Sequence, residues 1–446
     1  MFGAWVTTNG SPPIIERPGH LPAPVTFNLS QLADSIWMKK KAEIPDGGSH
    51  NFARIFRTMK YSQAVHLVAA RRSPIGRFGG GLKSLSAADL ALAVAEAIVA
   101  EPLKAAVDQV ILGQVLPAGA GMNVARQMGL RLGLPQASPA FTLNMACASG
   151  LKAVALAAAA VAEGEAQLVL GGGVESMSRA PHYALDLRWG RKLGDGVLVD
   201  ALTADGLVDP VVKLGMGETA ERIADAFQIS REAQDAWAAR SQALVAANRA
   251  ELGREIVAVR GADGLIEQDE HPRADATFEK LAKLKPAFRL TGTVTPGNSS
   301  GINDGAALVL VAGAAALRRH GLVSRARIVA ATAVGCDPAL MGLGPVGAIR
   351  RLGEETGWQL DTVDAVEINE AFAVQTLACA QELGLDPDQL NQRGGAIALG
   401  HPLGASGARV LVTLLHLLED KDFKRGIAAL CVGGGMGIAM AIERGE

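Results

Sequence analysis

The chain has 446 residues, of which 49% are hydrophobic, 20% charged and only 4% aromatic, and its formal net charge is −2. This length is enough for two or three domains around a large core. The near-neutral charge argues against a nucleic-acid-binding protein, which would carry a strongly basic face. The longest purely apolar stretch, 153–162, is about half of a membrane span and predicts a buried helix.

Residues 1–58 differ in composition from the rest of the chain. They contain several prolines and the run Lys39-Lys40-Lys41, without a sustained hydrophobic period. This composition predicts a poorly ordered extension or a segment that wraps the surface. Its acidic residues argue against a transit peptide, and it has no apolar core typical of a secretory signal, so we expect a cytoplasmic protein.

From residue 65 onward, strand and helix patterns alternate. Short apolar runs predict strands at 65–69, at 108–113 and at 168–170, the last of which ends in three glycines. A capping box at Ser86 predicts a helix that ends near residue 100. Cys147 follows another short strand, and a helix is predicted over about 149–163. This order is typical of an α/β fold.

The second half of the chain repeats this order. The offset is 256 residues between the Asp-initiated strands at 108 and 364, and 257 between the Ala-Ser-Gly turns at 148 and 405. It is 262 between the triple glycines at 171 and 433. These similar offsets predict two fused α/β halves related by a pseudo-twofold axis. The resulting segments are an extension (1–58), a first half (59–178, completed by about 303–322), an inserted loop segment (179–302) and a second half (323–446). Within the inserted segment, polar helices are predicted over 217–227 and 231–251.

Three residues can supply nucleophilic and acid–base chemistry. Cys147 lies at a strand-to-helix junction, where the positive end of the helix dipole predicts a lowered thiol pKa. His401 precedes the matching helix of the other half, so the pseudo-twofold would bring its imidazole towards the thiol to accept a proton. Cys431 ends a strand just before the second triple glycine, where open α/β sheets place ligands.

Asn369 also follows a strand, and its amide could reach the same cleft, while the glycines after Cys431 can offer N–H donors to an oxyanion. Taken singly, each residue also has a structural interpretation, as a buried cysteine, a helix-capping asparagine or a histidine beside a proline. The four cysteines show no CxxC spacing, so no metal site is predicted.

Taken together, five ordered strings resemble those of the thiolase family, from about residue 59 to the C-terminus. They are Asn-Met-Ala-Cys-Ala-Ser-Gly at 144–150, Gly-Asn-Ser-Ser-Gly-Ile-Asn-Asp-Gly-Ala at 297–306, Asn-Glu-Ala-Phe at 369–372, Gly-Gly-Ala-Ile-Ala-Leu-Gly-His-Pro-Leu-Gly at 394–404, and Cys-Val-Gly-Gly-Gly-Met-Gly at 431–437. The resemblance implies a five-layered αβαβα thiolase fold with an inserted loop domain that binds coenzyme A.

The resemblance also implies a role for each reactive residue. Cys147 would be the nucleophile that carries the acyl group as a thioester, and His401 would activate it and contribute to an oxyanion hole. Cys431 would donate and accept the proton at the α-carbon of the second acyl group. Asn369 would position a water in one oxyanion hole, and the backbone N–H of Gly433 would serve the other.

For the coenzyme, the resemblance implies contacts from Ser300 and Arg273, with Met216, Phe288 and Met341 lining the pantetheine and acyl tunnel. Two positions depart from biosynthetic members of the family. Gly215 stands where some have histidine, and Lys280 stands where they have serine. Both departures leave the affinity for coenzyme and the acyl-chain preference open.

The string Cys-Ala-Ser-Gly-Leu-Lys at 147–152 resembles that of acetoacetyl-CoA-specific members. The expected reaction is the reversible Claisen condensation of two acetyl-CoA to acetoacetyl-CoA and CoA, with a broad-chain 3-ketoacyl-CoA thiolase as the alternative. A decarboxylating ketoacyl synthase would lack a second catalytic cysteine, so Cys431 argues against it. A non-catalytic scaffold or acyl-CoA-binding subunit is the alternative of another class. CoA and acyl-CoA are expected as substrates rather than bound cofactors, and the protein as a homodimer or homotetramer.

Overall fold

The computed structural model describes residues 59–445, and the predictions made for residues 1–58 lie outside the described residues. The first half begins with a long strand and continues with alternating helices and strands. Its elements are β1 (Met59–Arg72), β2 (Gly76–Arg77), α1 (Ala87–Ile98), α2 (Glu101–Lys104), β3 (Gln109–Gly113), α3 (Val124–Arg131), β4 (Ala140–Leu143), α4 (Ser149–Ala162) and β5 (Leu168–Ser176). The predicted capping box is present, because Ser86 and Asp89 each accept the other's backbone N–H.

The inserted segment contains short strands and most of the polar helices. Its elements are β6 (His182–Tyr183), β7 (Val199–Asp200), α5 (Met216–Phe227), α6 (Arg231–Ala247), α7 (Arg249–Gly253), β8 (Val259–Gly261), β9 (Gly264–Ile266) and α8 (Phe278–Leu281). The single helix expected over 231–251 is in fact two. Asn248 interrupts it, and its side-chain amide donates to the Leu244 carbonyl at 2.8 Å, which competes with the regular helical bonds.

The second half repeats the strand and helix order of the first. Two elements come before it, β10 (Asn303–Gly313) and α9 (Ala314–His320), and β10 pairs with β1 and β5 of the first half. The elements of the second half are β11 (Ala326–Gly335), α10 (Gly344–Thr356), β12 (Ala365–Ile368), α11 (Ala373–Leu383), α12 (Ala396–Leu399), α13 (Leu403–Asp420), β13 (Arg425–Val432) and β14 (Met436–Glu443). The strands run β12-β13-β14-β11-β1-β10-β5-β3-β4, with β2 paired to β10. Antiparallel pairing of β1 with β11 joins the strands of the two halves edge to edge.

The three largest apolar cores of the described residues lie between five layers. The central core packs α4 and α13 between the strands of the two halves. A second core places α1 and α3 on the outer face of the first half, and a third places α10 and α11 on the outer face of the second half. The predicted αβαβα layering is therefore confirmed, and α4 and α13 are its shared middle layer.

Matching hydrogen bonds in the two halves reflect the duplication. The Asp108 carboxylate accepts the backbone N–H groups of Gln167 and Leu168 at 2.6 and 3.0 Å. Asp364, at the matching position, accepts those of residues 424 and 425 at 2.9 and 2.8 Å. In each half, an aspartate that directly precedes one strand thus anchors the start of the neighbouring strand.

The two triple glycines, however, have different structures: the first lies within a strand, and the second forms a turn. The expectation that the strand after α4 ends at residue 170 is wrong, because β5 runs through its glycines to Ser176. A side chain on Gly173 would overlap the carbonyl oxygen of Gly404, so glycine lets the start of α13 approach the strand. The second triple glycine is a turn between β13 and β14, where Gly434 and Gly435 have φ of +88° and +77°.

Candidate active site

A tight turn between β4 and α4 presents Cys147 at the helix start. Ala146 adopts φ +43°, which is rare for a residue with a side chain. The Asn144 side chain accepts the Ala146 N–H at 2.8 Å. Ser149 Oγ accepts the Met145 N–H at 2.8 Å and donates to the Ala146 carbonyl at 2.7 Å. These local bonds hold the strained turn, and with it the position of the sulfur.

The N-terminal ends of α4 and α13 meet, as the pseudo-twofold predicted. A side-chain carbon on Gly150 would lie 2.7 Å from the Gly404 carbonyl oxygen. The buried carboxyl of Glu175 accepts the N–H of Gly404 at 2.9 Å, and those of Val115 and Leu116 at 2.8 and 3.1 Å. Burial raises the pKa of Glu175 to about 7. Sequence analysis missed this residue, which fastens α13 to the first half.

His401 lies just before α13 with one ring nitrogen occupied and one free. Its backbone N–H donates to Asn303 Oδ1 at 2.9 Å, and its Nδ1 lies 2.6 Å from Ser406 Oγ. The Ser406 hydroxyl donates to the Pro402 carbonyl at 2.9 Å, so it accepts from Nδ1–H, and Nε2 carries the free lone pair. Nε2 is buried without a partner among the described residues. Burial, together with the charge of Arg409, lowers the pKa of His401 to about 3, so the ring is neutral.

The Cys147 thiol is protonated in this environment. Burial raises its pKa to about 11, although the backbone N–H groups of Gly433 and Cys147 itself act on the sulfur in the opposite direction. The predicted lowering of the pKa by the helix start is therefore wrong, because desolvation of the thiolate outweighs these donors. A nucleophilic role for this thiol consequently requires a nearby base.

Cys431 brings a second thiol to the same place from the other half. It is the penultimate residue of β13 and is fully buried. Burial raises the pKa of its thiol well above the ordinary value, and the neighbouring Cys147 adds to the rise. The chain then turns at residues 433–435, which carries the Gly433 N–H to the Cys147 sulfur.

Asn369 directly follows β12 and is fully buried. Its Oδ1 accepts from Arg409 Nη2 at 3.2 Å, and its Nδ2 has no partner among the described residues. The next residue, Glu370, accepts from Trp237 Nε1 at 3.0 Å and from Ser241 Oγ at 2.7 Å. Glu370 thus fastens this loop to α6, while Asn369 itself is not among the described lining residues of the cavity presented next.

A cavity of about 530 Å³ joins the reactive side chains, since Cys147, His401 and Cys431 all line it. The five residues expected to contact the coenzyme line the same cavity, and they are Met216, Arg273, Phe288, Ser300 and Met341. Its surface is mostly apolar near the thiols and cationic at Arg273. The structure therefore brings together, around one space, residues from both halves and from the inserted segment.

Other residues that line the cavity were not marked as site residues by any pattern in the sequence. Phe372 packs edge to face on Phe288, with ring centroids 6.2 Å apart, and narrows the apolar part of the cavity. Arg77 and His271 join Arg273 on its polar side. Burial, together with the two arginines, lowers the pKa of His271 to about 4, so this side chain is neutral. Arg77 stands in the string after β1, where its charge beside glycines could have marked a ligand site.

The two departures from the family pattern lie in different places. Gly215 lines the cavity and begins α5, where Glu218 accepts its N–H at 2.6 Å. Lys280 is an exposed residue that pairs with Asp275 at 2.8 Å, and it is not among the described lining residues.

Within residues 59–445, no cluster of three or more His, Cys, Asp or Glu side chains is arranged to hold a metal ion. Over the same residues, no helix has both the length and the apolar character needed to cross a membrane. The four cysteines are free thiols.

Comparison with known proteins agrees with this architecture. The family model described as "Thiolase, N-terminal domain" matches residues 65–315, and "Thiolase, C-terminal domain" matches residues 322–444. The chain therefore belongs to the thiolase family.

Two relatives are named for their activity. The chain is 48% identical over 391 residues to "Acetyl-CoA acetyltransferase" of Pseudomonas aeruginosa, covering 86% of this chain and 100% of the relative. It is 48% identical over 390 residues to "Probable acetyl-CoA acetyltransferase" of Escherichia coli, covering 86% and 99%.

Two solved structures are similar throughout. The Bacillus anthracis acetyl-CoA acetyltransferase has 41% identity and a TM-score of 0.82, covering 86% of this chain and 99% of its own. Human mitochondrial 3-ketoacyl-CoA thiolase in complex with CoA has 41% identity and a TM-score of 0.85, covering 87% and 100%.

Proposed function

We propose that the protein is an acetyl-CoA C-acetyltransferase, which condenses two acetyl-CoA to acetoacetyl-CoA and CoA and catalyses the reverse thiolysis. One observation carries the proposal: two thiols and a neutral imidazole with a free Nε2 share a single cavity. The relatives named for this activity in Pseudomonas aeruginosa and Escherichia coli support it.

The first half-reaction needs a base, because the Cys147 thiol is protonated. His401 Nε2 takes that proton, and the sulfur attacks the keto carbon of acetoacetyl-CoA. The bond between this carbon and the α-carbon breaks, and its electron pair forms the enolate of acetyl-CoA. Cys431 donates its proton to that enolate carbon, which releases acetyl-CoA and leaves Cys147 acetylated.

The second half-reaction restores both groups. The CoA thiol gives its proton to the Cys431 thiolate and attacks the acetyl-Cys147 carbonyl, and Cys147 leaves with the proton held by His401. Condensation is the reverse, in which Cys431 removes the α-proton. Because burial raises the pKa of Cys431, its thiolate is a stronger base there than in water, which suits proton removal beside a thioester.

Each carbonyl oxygen needs donors when it becomes an anion. The backbone N–H groups of Cys147 and Gly433 donate towards the sulfur of the free thiol. When Cys147 is acylated, they donate to the oxygen of its thioester. His401 and a water held by the buried Asn369 amide serve the enolate oxygen. The two acyl groups thus have separate sites, so Cys147 stays acylated while Cys431 moves a proton.

The inserted segment, 179–302, is proposed as the coenzyme-binding loop domain. It supplies Met216 and Phe288 to the apolar passage, and Ser300 and Arg273 to the polar end of the cavity. The solved complex of human mitochondrial 3-ketoacyl-CoA thiolase with CoA supports CoA as substrate. The proposal needs no permanently bound cofactor, since thiols and an imidazole perform each step.

The first test is CoA-dependent cleavage of acetoacetyl-CoA, with 3-ketohexadecanoyl-CoA alongside. Wild-type protein is compared with Cys147→Ala, which should lose turnover, and with Cys336→Ala, which removes a half-buried thiol outside the lining described for the cavity. Turnover of the short substrate alone supports the proposal. Turnover of both substrates by the wild type supports the broad-chain 3-ketoacyl-CoA thiolase instead. If the wild type binds acyl-CoA but turns over neither substrate, the result supports the non-catalytic scaffold or acyl-CoA-binding subunit.

We further propose a homodimer or homotetramer in the cytoplasm. Strand β4 ends the sheet order and exposes Phe141, and the loop around β6 and β7 exposes large apolar side chains. Those on the loop are Leu185, Leu187, Trp189, Leu193, Val197 and Leu198. Free thiols suit a reducing compartment. Light scattering should give twice or four times the chain mass, and a monomer would contradict the proposal.

A further inference from the structure

Arg409 is a cation enclosed in the protein interior. It lies on α13 with 2% of its surface exposed, and its Nη2 donates to Asn369 Oδ1 at 3.2 Å. Its Nε and Nη1 have no hydrogen-bond partner among the described residues. A buried charge is costly when its donors are incompletely used. The one hydrogen bond that this side chain makes to the described protein is therefore informative.

The position of Arg409 links the two groups assigned to the enolate oxygen. Ser406 and Arg409 are three residues apart on α13, so they share one helical face. Ser406 holds Nδ1 of His401, and Arg409 holds Oδ1 of Asn369. One face of one helix thus sets the orientation of both groups.

The guanidinium also decides which way the amide of Asn369 turns. Arginine has only donors, so the amide atom that faces Arg409 must be the oxygen. The NH₂ group, Nδ2, then faces away, and it is buried without a partner among the described residues. A buried amide donor of this kind is what a water in an oxyanion hole requires.

Three glutamates lie near Arg409, but among the described residues none of them accepts a hydrogen bond from its guanidinium. Burial raises the pKa of Glu367 to about 8, even though Arg409 acts in the opposite direction, so Glu367 is mostly protonated at neutral pH. Glu255 and Glu370 also act on Arg409 through their charge, but the hydrogen bonds that they accept come from other groups. Arg409 also contributes to the lowered pKa of His401, so its field reaches the imidazole.

We propose that Arg409 is a positioning residue for the condensation: it turns the Asn369 amide towards the oxyanion hole and places a positive charge behind that hole. The inference rests on the proposed function and assigns a role to a residue outside the described lining of the cavity. Arg409 touches neither substrate nor reacting atoms. It acts through Asn369 and His401.

The test compares Arg409→Lys with Arg393→Lys. Lysine keeps the charge but loses the forked donor, so kcat should fall about 10- to 100-fold while KM for CoA stays within about twofold. Arg393 is a matched control, because it is also buried in the second half, pairs with Asp420 and has no hydrogen bond to Asn369 among those described. Its variant should keep kcat within about threefold of wild type.

A double-mutant cycle separates positioning from general support. In an Asn369→Ala background, Arg409→Lys should reduce kcat by less than about threefold, because the amide through which it acts is gone. A full multiplicative loss in the double variant, or an equal loss in Arg393→Lys, would overturn the inference.

A stability measurement tests the contact without relying on turnover. In Asn369→Asp, the new carboxylate would accept from Arg409, so its Tm should equal or exceed that of Asn369→Ala, although both lack the Nδ2 donor. A Tm several degrees below that of Asn369→Ala would show that no guanidinium faces this position. An inactive wild type would overturn the proposed function, whereas an active wild type with an unaffected Arg409→Lys overturns this inference alone.

Discussion

The Ser406→Ala variant tests how the imidazole is prepared for catalysis. In the native protein, the Ser406 hydroxyl accepts from His401 Nδ1 at 2.6 Å and leaves Nε2 free to take the Cys147 proton. Without the hydroxyl, Nδ1–H is a buried donor with no acceptor, or the proton moves to Nε2 and blocks it. Either result raises the energy of the working tautomer by about 1–3 kcal/mol.

Because each 1.36 kcal/mol changes a rate tenfold, this range predicts a fall of about 5- to 150-fold in kcat/KM for thiolysis. Alkylation of Cys147 by iodoacetamide at pH 7.5, followed by mass spectrometry, should slow by a similar factor, since it needs the same proton transfer. Near pH 11 the difference should shrink, because hydroxide then removes the proton directly.

The matched control is Thr413→Val. Thr413 is also buried on α13, and its hydroxyl donates to Glu255 at 3.0 Å, far from the imidazole along the helix. We expect this variant to lose stability but to keep the alkylation rate within about twofold of wild type. An equal slowing in both variants, or no slowing in Ser406→Ala, would refute the assignment of the tautomer.

Three further predictions follow from burial in and around the cavity. In His401→Ala, where no imidazole can take the proton, the alkylation rate of Cys147 should rise about tenfold per pH unit from pH 7 to 10, because the thiol pKa is about 11, and a plateau below pH 8 in this variant would contradict it. Glu370→Gln should lower the free energy of unfolding, measured in urea, by about 1–3 kcal/mol, because the buried Glu370 carboxylate accepts four hydrogen bonds and the glutamine NH₂ would face some of those donors with another donor. The control is Glu279→Gln, at an exposed position. Met341→Ala, buried beside Cys431, should raise turnover of 3-ketohexanoyl-CoA relative to acetoacetyl-CoA by about tenfold or more, and an unchanged ratio would remove Met341 from chain-length selection.

Patterns in the sequence were sufficient for the order of strands and helices, for the duplication and for the candidate reactive groups, whereas the five layers were implied by the resemblance to the thiolase family. The capping box at Ser86 depends on a partner three residues away, so the local sequence is enough to recognise it. The same is true of Cys147 at a helix start. The aspartates 108 and 364 and the two Ala-Ser-Gly turns were recognised because they repeat along the chain, although the partners of the aspartates lie 59 to 61 residues away. The prediction that α4 and α13 face each other followed from the repeat itself.

Other features depended on contacts that no local pattern encodes. The glycines of β5 serve the close approach of α13 from the other half, and the expected helix over 231–251 breaks at Asn248. Glu175 fastens Gly404, 229 residues further along the chain. Such partners are recognisable only after the two halves have packed.

The amino-acid sequence by itself determined which groups are present: two thiols, an imidazole and an amide, placed at strand ends and helix starts by short-range preferences. Only the tertiary structure decided the state of those groups. Burial keeps Cys147 protonated against the helix dipole, Ser406 selects the tautomer of His401, and Arg409 turns an amide 40 residues away from it in the chain. The physical reason is that desolvation and hydrogen bonding act through space, and packing alone determines which groups lose water and which partners they meet.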